Sequence, residues 1–434
     1  MSTIQEQAIP LYGEIVNGYN KLVASDVDLR RVRQSAFDKF RLSGFPSIKN
    51  EDWKYTNIGR FLKDEFELGS AAVVPAVLPE AVTIPGLDGY RVVLVNGVWD
   101  GSVGGGPLPV GLEIKRVAEA LQDPVLAANF ENGKWGNLPF VNLNTALFTD
   151  GLFIRVSGTI DKPLQIIHYY SAERNLMIQP RHLWVVNANA EFNVVESVFS
   201  ATGEAKVWVN SLTEIIAHND SRVDHVLIQS AATGVRLVNH TTVRQKKQSL
   251  YNNYTFTLPG AELVRNDLQA RLEEDHTETH LYGLYLTAGH QLVDNHTLVD
   301  HQKPWCFSNE LYKGVLLEQS TGVFNGKVYV HKDAQKTNAF QQNNNLVISK
   351  KATIDSKPEL EIFADDVKCS HGSTVGQFSE DALFYLRARG IGEETAKALL
   401  IAAFAYDVTE KIKIPAVENY INLLISQHIP VTNA

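Results

Sequence analysis

Cys369 and His371 make the most reactive pairing in the chain. They belong to the run Val367-Lys-Cys369-Ser-His371-Gly372. In an extended strand, alternate residues share one face about 6.5–7 Å apart. A thiol and an imidazole presented side by side suit zinc, copper or iron–sulfur centres. Two ligands do not close a metal site, which usually takes about four. A metal reading therefore requires ligands from elsewhere in this chain or from another one. The plainer alternative, favoured by residue type alone, has Cys369 filling core and His371 bonding a turn. A second set is His276-Thr-Glu278-Thr-His280, with His290, His296 and His301 close behind. It lacks the His-Glu-x-x-His spacing of a helical zinc site. On a strand, His276, Glu278 and His280 would share a face and could offer a facial ligand set. A solvated polar face is the plainer account, because the intervening threonines alternate to the other side.

Other chemistry is poorly provided for. Gly322-Val-Phe-Asn-Gly326-Lys327-Val328 is one residue too short for a P-loop and has Val328 where Ser or Thr would hold magnesium, so no nucleotide is expected to bind this chain. There is no Gly-x-Ser-x-Gly elbow. Glu273, Glu274, Asp275, Asp294 and Asp300 have no spacing that marks an acid/base pair. A formal charge of −9 argues against a nucleic-acid partner, which needs a basic face. Two cysteines, Cys306 and Cys369, are no disulfide framework. With no signal-like N-terminus and no apolar run of about 20 residues, the reading is a cytoplasmic protein without a membrane span.

The element that must position Cys369 and His371 is a strand. Leu360, Ile362 and Ala364 alternate with Glu359, Glu361 and Phe363, Asp365-Asp366 suits a turn, and Gly372 is expected to turn the chain again. From about Val141 to His371 helical periodicity fades and short apolar alternations recur, such as Leu183-Trp184-Val185-Val186 and Leu281-Tyr282-Gly283-Leu284. Hairpin pairs are scarce (Asn132-Gly133, Asn325-Gly326), which fits a stack of parallel rungs better than a sandwich or barrel. This divides the chain into an N-terminal helical domain with a short β segment (1–140), a parallel β-helix core (141–372) and a C-terminal helical domain (373–434).

In the N-terminal part, Ser25 reads as an N-cap with Asp26 and Asp28 in the first turn, followed by Leu29, Val32, Ala36 and Phe40 at helical spacing. The connector from Gly44 to Thr56 reads as a loop pinned by Trp53 and Tyr55, with a docking surface as the alternative. Tyr90–Trp99 reads as a strand or hairpin, the glycines at 101–106 as a flexible loop, and Leu112–Leu121 as a short helix. In the C-terminal part, Ser379 caps one helix and Gly390 ends it. A second helix after Gly392 carries the stripe Ala396, Leu399, Leu400, Ala403 and Phe404. A third opens at Pro415 with Val417, Tyr420, Ile421, Leu424, Ile425 and His428 on one face.

At this point several runs agree with one family. Gly322 through Lys327, Ala334-Gln-Lys-Thr337, Asn343-Asn-Asn-Leu346, Lys357 through Gly376, Phe384-Tyr-Leu-Arg-Ala-Arg-Gly390 and Trp53-Lys-Tyr-Thr56 resemble the SufD family of the SUF iron–sulfur cluster assembly system. The resemblance spans nearly the whole chain. It implies a mainly β fold, a right-handed parallel β-helix flanked by helical domains, and a non-enzymatic scaffold role. It further implies pairing with a SufB-like subunit through the β-helix and docking of a SufC-like ABC ATPase through the C-terminal helices, with Phe384, Tyr385, Arg387, Leu399 and Phe404 as the contact set. His371 is the implied ligand to a nascent cluster shared with the partner, with Cys369 beside it in the motif. A homodimer is open when the chain is alone. The other classes are a β-helix enzyme acting on polysaccharide and a zinc enzyme using His276, Glu278 and His280.

Overall fold

Alternation of apolar residues through the middle of the chain sets the architecture. The computed structural model describes residues 9–25, 29–69, 82–99, 101, 107–123, 138–201 and 203–429. Two sheets face each other. The first runs through Leu112–Arg116, Leu152–Val156, Arg181–Val186, Val207–Ala217, Val235–Gln245, Leu263–Leu272, Leu292–His301, Thr321–Val330 and Thr353–Ile362, with Leu176–Ile178 and Glu67–Leu68 joining at the side. The second runs through Tyr90–Val95, Leu164–Tyr170, Glu191–Ser200, Arg222–Gln229, Leu250–Thr257, Glu278–Thr287, Phe307–Leu316, Asn338–Val347 and Lys368–Gly376. Beyond the first antiparallel pair every ladder is parallel, and the chain alternates between the sheets. The result is a β-solenoid of about 8 turns. Leu250 pairs with Glu278, then Phe307, Asn338 and Lys368, so successive turns take 28, 29, 31 and 30 residues.

Three apolar layers hold it. Val194, Tyr251, Leu281, Tyr312 and Phe324 fill the lumen between the sheets. Trp208, Val238, Leu263 and Leu292 on the outer face of the first sheet lie under Phe37, Phe40, Trp53 and Phe140 of the N-terminal helical layer. Val226, Tyr254, Phe256 and Leu284 on the outer face of the second lie under Ile401, Val408, Val417 and Ile421 of the C-terminal helices. Sheets covered on both faces carry near-continuous apolar strands, and Leu164–Tyr170 and Arg181–Val186 are buried at every position. No helix among the described residues is long and apolar enough to cross a membrane.

The corners explain the missing hairpin signals. Asn189, Asp220, Gln248, His276, Trp305 and Lys336 adopt positive φ, one before each strand of the second sheet from Glu191–Ser200 to Asn338–Val347. Each donates its backbone N–H to a carbonyl at the corner of the next turn, for example Gln248 to Asp275 and Trp305 to Gln335. The left-handed region is unfavourable for most side chains, but stacking from turn to turn stabilises it here. The His276 and Trp305 rings lie 6.1 Å apart at 15°.

Several local expectations are corrected. Ser25 closes the helix Pro10–Ser25, its hydroxyl donating to Lys21 O and Leu22 O, and the next helix, Arg30–Ser43, starts after Leu29 without a side-chain cap. Asp26, Asp28 and the glycines at 102–106 lie outside the described residues. Leu112–Arg116 is a strand paired antiparallel with Leu152–Val156, and only Val117–Ala120 is helical. A helix, Pro139–Leu147, interrupts the β region. Gly372 makes no turn, because the last strand runs on to Gly376. The solenoid ladder itself extends from Tyr90–Val95 to Lys368–Gly376.

Candidate functional site

Lys368–Gly376 is the terminal strand of the second sheet, and Thr353–Ile362 that of the first. Among the described residues, each has a paired neighbour on one side only. Inward and outward positions alternate along Lys368–Gly376, and pairing places Cys369 beside Ala339, His371 beside Gln341 and Ser373 beside Asn343. Ala339, Gln341 and Asn343 are buried lumen residues. Cys369 and His371 therefore share the inward face of the last rung, where no further turn covers them. His371 is exposed and Cys369 half-buried. Cys369 packs against Val328, Val330, Ala334, Ala339 and Ala364, and this burial pushes its thiol up from the ordinary value. A thiol held protonated is a poorer nucleophile and metal ligand than a thiolate.

The lumen beneath His371 is polar. Glu310, Gln341 and His371 form one in-register column. Gln341 Nε2 donates to Glu310 Oε2 at 2.8 Å, and Thr297 Oγ1 donates to Glu310 Oε1 at 2.6 Å. Burial pushes the Glu310 carboxyl up to about 7, with both hydrogen bonds opposing. Beside this column, Asn343 accepts from Ser356 at 2.7 Å and from Asn345 at 2.7 Å, and Ser356 pairs with Ser373 at 2.8 Å across the open end. Asn343 and Asn345 thus tie the last rungs of the two sheets together with hydrogen bonds. Sequence reasoning missed Glu310 and Gln341. The signal available was the interval of 30 and then 31 residues leading back from His371.

The alternative metal set is not assembled. His276 sits at a corner with φ 60°, pairs with Asp275 and stacks on Trp305, so it leaves the strand face on which Glu278 and His280 stand. His280 Nε2 pairs with Glu278 Oε1 at 2.6 Å and its ring stacks on Tyr282. Among the described residues, no group of three or more His, Cys, Asp or Glu is placed to hold a metal ion. Gly322–Lys327 lies inside the strand Thr321–Val330, with Phe324 fully buried against Tyr312, so it is not a phosphate loop.

The motif Trp53–Thr56 is a clamp between the N-terminal layer and the first sheet. Thr56 Oγ1 donates to Asp294 Oδ2 at 2.5 Å, and the Trp53 ring lies 3.9 Å from the Arg265 guanidinium. Tyr55, expected to help pin this segment, is 40% exposed. Arg265 is buried and binds Asp267, Asp294 and the Asp52 carbonyl. The two carboxylates of this outer groove are thus tied to one cation.

At the C-terminus, Ser379 caps Glu380–Ala388 by accepting from the Ala382 N–H. That helix has no buried residue, leaving Phe384 74% and Tyr385 59% exposed, while Arg387 pairs with Glu393 at 3.5 Å. In Glu393–Thr409 the buried stripe is Ala396, Ile401, Ala405 and Val408, rotated from the expected one. Leu399 is exposed, and Phe404 lies over Lys313, whose Nζ donates to the Phe404 carbonyl at 3.0 Å. Pro415–His428 buries the expected Val417, Tyr420, Ile421, Leu424 and Ile425.

Two family models match the chain along nearly its whole length. Residues 168–404 match the model "SUF system FeS cluster assembly, SufBD core domain", and residues 2–166 match the "SufBD protein N-terminal region". An iron–sulfur cluster assembly SufBD family protein of Synechocystis is 31% identical, covering 91% of this chain and 90% of the relative. The SufD protein of Escherichia coli K12 is 27% identical over 89% and 90%. A chloroplastic protein of Arabidopsis thaliana is 28% identical over 89% and 83%. With a terminal rung presenting Cys369 and His371 and both family regions matched along its length, the chain belongs to the SufBD family of the SUF iron–sulfur cluster assembly system and is SufD-like.

Proposed function

We propose that this chain is a non-enzymatic scaffold subunit on which an iron–sulfur cluster is built in a shared site with a SufB-like partner. The observation that carries this reading is His371, an exposed imidazole on the inward face of a terminal rung whose outer edge has no strand partner among the described residues. An unpaired edge is a template for another chain, and a lone His cannot hold a cluster without further ligands. A partner rung stacked on the open end meets both requirements. The nascent cluster is cargo held between the subunits. Cys369, half-buried with its thiol pushed up, is less suited than His371 to contact it. The SufC-like ATPase is assigned to the C-terminal helices, with Phe384 and Tyr385 as its anchors, because aromatic residues dominate such contacts. Exposed Leu399 and Arg387 belong to the same surface, whereas half-buried Phe404 anchors its helix to the solenoid.

The decisive experiment co-expresses the His371→Ala chain with a SufB-like subunit and a SufC-like ATPase. His371 is exposed and its loss removes no core packing, so the complex should form in normal yield. Cluster formation should fall to a small fraction of the wild-type rate. A His371→Ala complex that builds cluster at the wild-type rate removes His371 from the mechanism. The double variant Phe384→Ala with Tyr385→Ala should lose the ATPase and keep the SufB-like subunit. ATPase retained in full would reject that docking face.

A further inference from the structure

The orphaned atom in the polar column lies one rung below His371. Gln341 Oε1 is buried and has no hydrogen-bond partner, while its Nε2 is committed to Glu310. A buried carbonyl oxygen left unpaired costs about 1–3 kcal/mol. Few neighbours can satisfy it. Gly326, on the opposite sheet, has no side chain, and a Cβ there would meet Gln341 Nε2 at 2.5 Å, so the glycine makes room for this amide. Pro358, paired with Gly326 on the next rung, has no donor. Ser356 is engaged with Asn343 and Ser373, and Thr297 with Glu310. His371 is the in-register neighbour on the next rung, about 4.8 Å away between strands.

We propose that Gln341 is the positioning residue for His371, its Oε1 accepting the N–H of one ring nitrogen and so leaving the other as a lone-pair donor toward the open end. This rests on the reading of His371 given above. The Glu310 carboxylate holds the amide by its NH2 group, which fixes the carbonyl toward His371. A ring nitrogen that donates to a fixed oxygen sets the tautomer and orientation of an imidazole ligand. The column Thr297–Glu310–Gln341 thereby converts an exposed, freely rotating side chain into one with a defined ligating atom.

The test is long-range 1H–15N spectroscopy of the full chain labelled with 15N-histidine, with His371 assigned by the signal lost in His371→Ala. In the wild type at alkaline pH the two His371 ring nitrogens should have widely separated shifts, the mark of one fixed tautomer. In Gln341→Leu the two shifts should converge as the tautomers mix, while lumen His301 is unmoved. Converged His371 shifts in the wild type, or shifts unchanged in folded Gln341→Leu, would overturn the proposal. The wild-type measurement stands even where a variant fails to fold. The readout needs no cluster, so it is decided separately from the assembly assay of His371→Ala.

Discussion

Arg265→Ala should destabilise the chain by roughly 3–5 kcal/mol, the cost of removing one partner from a buried ion pair. Arg265 is 2% exposed and sits between two carboxylates. Its guanidinium bonds both oxygens of Asp267, at 3.0 and 3.1 Å, as well as Asp294. Burial alone would raise both acids. The charge of Arg265, the neighbouring imidazoles and the hydrogen bonds to the carboxylates together outweigh it, holding Asp267 below its usual range and Asp294 at about 2. Without the cation, Asp294 and Asp267 must stay buried and charged with only the His296 and His240 imidazoles beside them, or take up protons. The second consequence is local. Trp53 loses the cation beneath its ring, and the Asp52 carbonyl loses its 2.8 Å donor, so the clamp between the N-terminal layer and the sheet opens. Urea unfolding should show the full loss at pH 7 and a smaller one in Arg265→Met with Asp294→Asn, where no lone charge is left at Asp294. Arg265→Lys should not rescue, because an ammonium cannot form the planar fork. An Arg265→Ala midpoint equal to wild type would show that the network is not structural.

The fold was legible wherever periodicity reports burial directly. Alternating apolar residues with few hairpin pairs pointed to parallel rungs, and Ser379 and Pro415 marked real helix starts. Legibility ended where a residue's role depends on the neighbouring turn. The corner residues Asp220, Gln248 and Trp305 carry no glycine signature, since stacking and not intrinsic preference holds their φ positive. That invisibility also misplaced His276 on a strand face. Glu393–Thr409 is apolar on more than one side, so its true buried stripe could not be told from the neighbouring one. Leu112 and Ile114 alternate like a strand, but the partner that makes them one is Leu152–Val156, about 40 residues later. At the candidate site, extended spacing placed Cys369 and His371 on one face. That this face is the lumen, and that Glu310 and Gln341 stand beneath it, follows only from register.

The second large effect is acid unfolding. Stability should fall by roughly 5 kcal/mol as pH drops from about 6.5 to 4.5, enough to unfold a domain of ordinary stability near the lower end. Burial pushes His182 and His301 down to about 3, and His240 down to about 4. The environments of His182 and His301 agree with neutral rings, while at His240 burial prevails over the Asp267 carboxylate 3.4 Å away. His182 Nδ1 accepts the Leu152 N–H at 3.0 Å, and His301 shares its Nε2 with Ser308 Oγ at 2.9 Å inside the lumen. These groups have folded values below their unfolded one. The stability they contribute is present above about 6.5 and lost as pH falls toward the folded values. Glu310 works the other way. Its carboxyl is raised to about 7, so its unfavourable ionisation is relieved as pH falls from 7 toward 4.5, offsetting part of the loss. Three histidines outweigh one carboxyl, which fixes the net sign. His301→Gln should flatten the slope by close to one proton, and Glu310→Gln should steepen it while stabilising the chain above pH 7. Urea unfolding from pH 7.5 to 4.5 measures both. A wild-type stability that stays level through this window would mean that the three imidazoles are protonated in the folded chain, contrary to their burial.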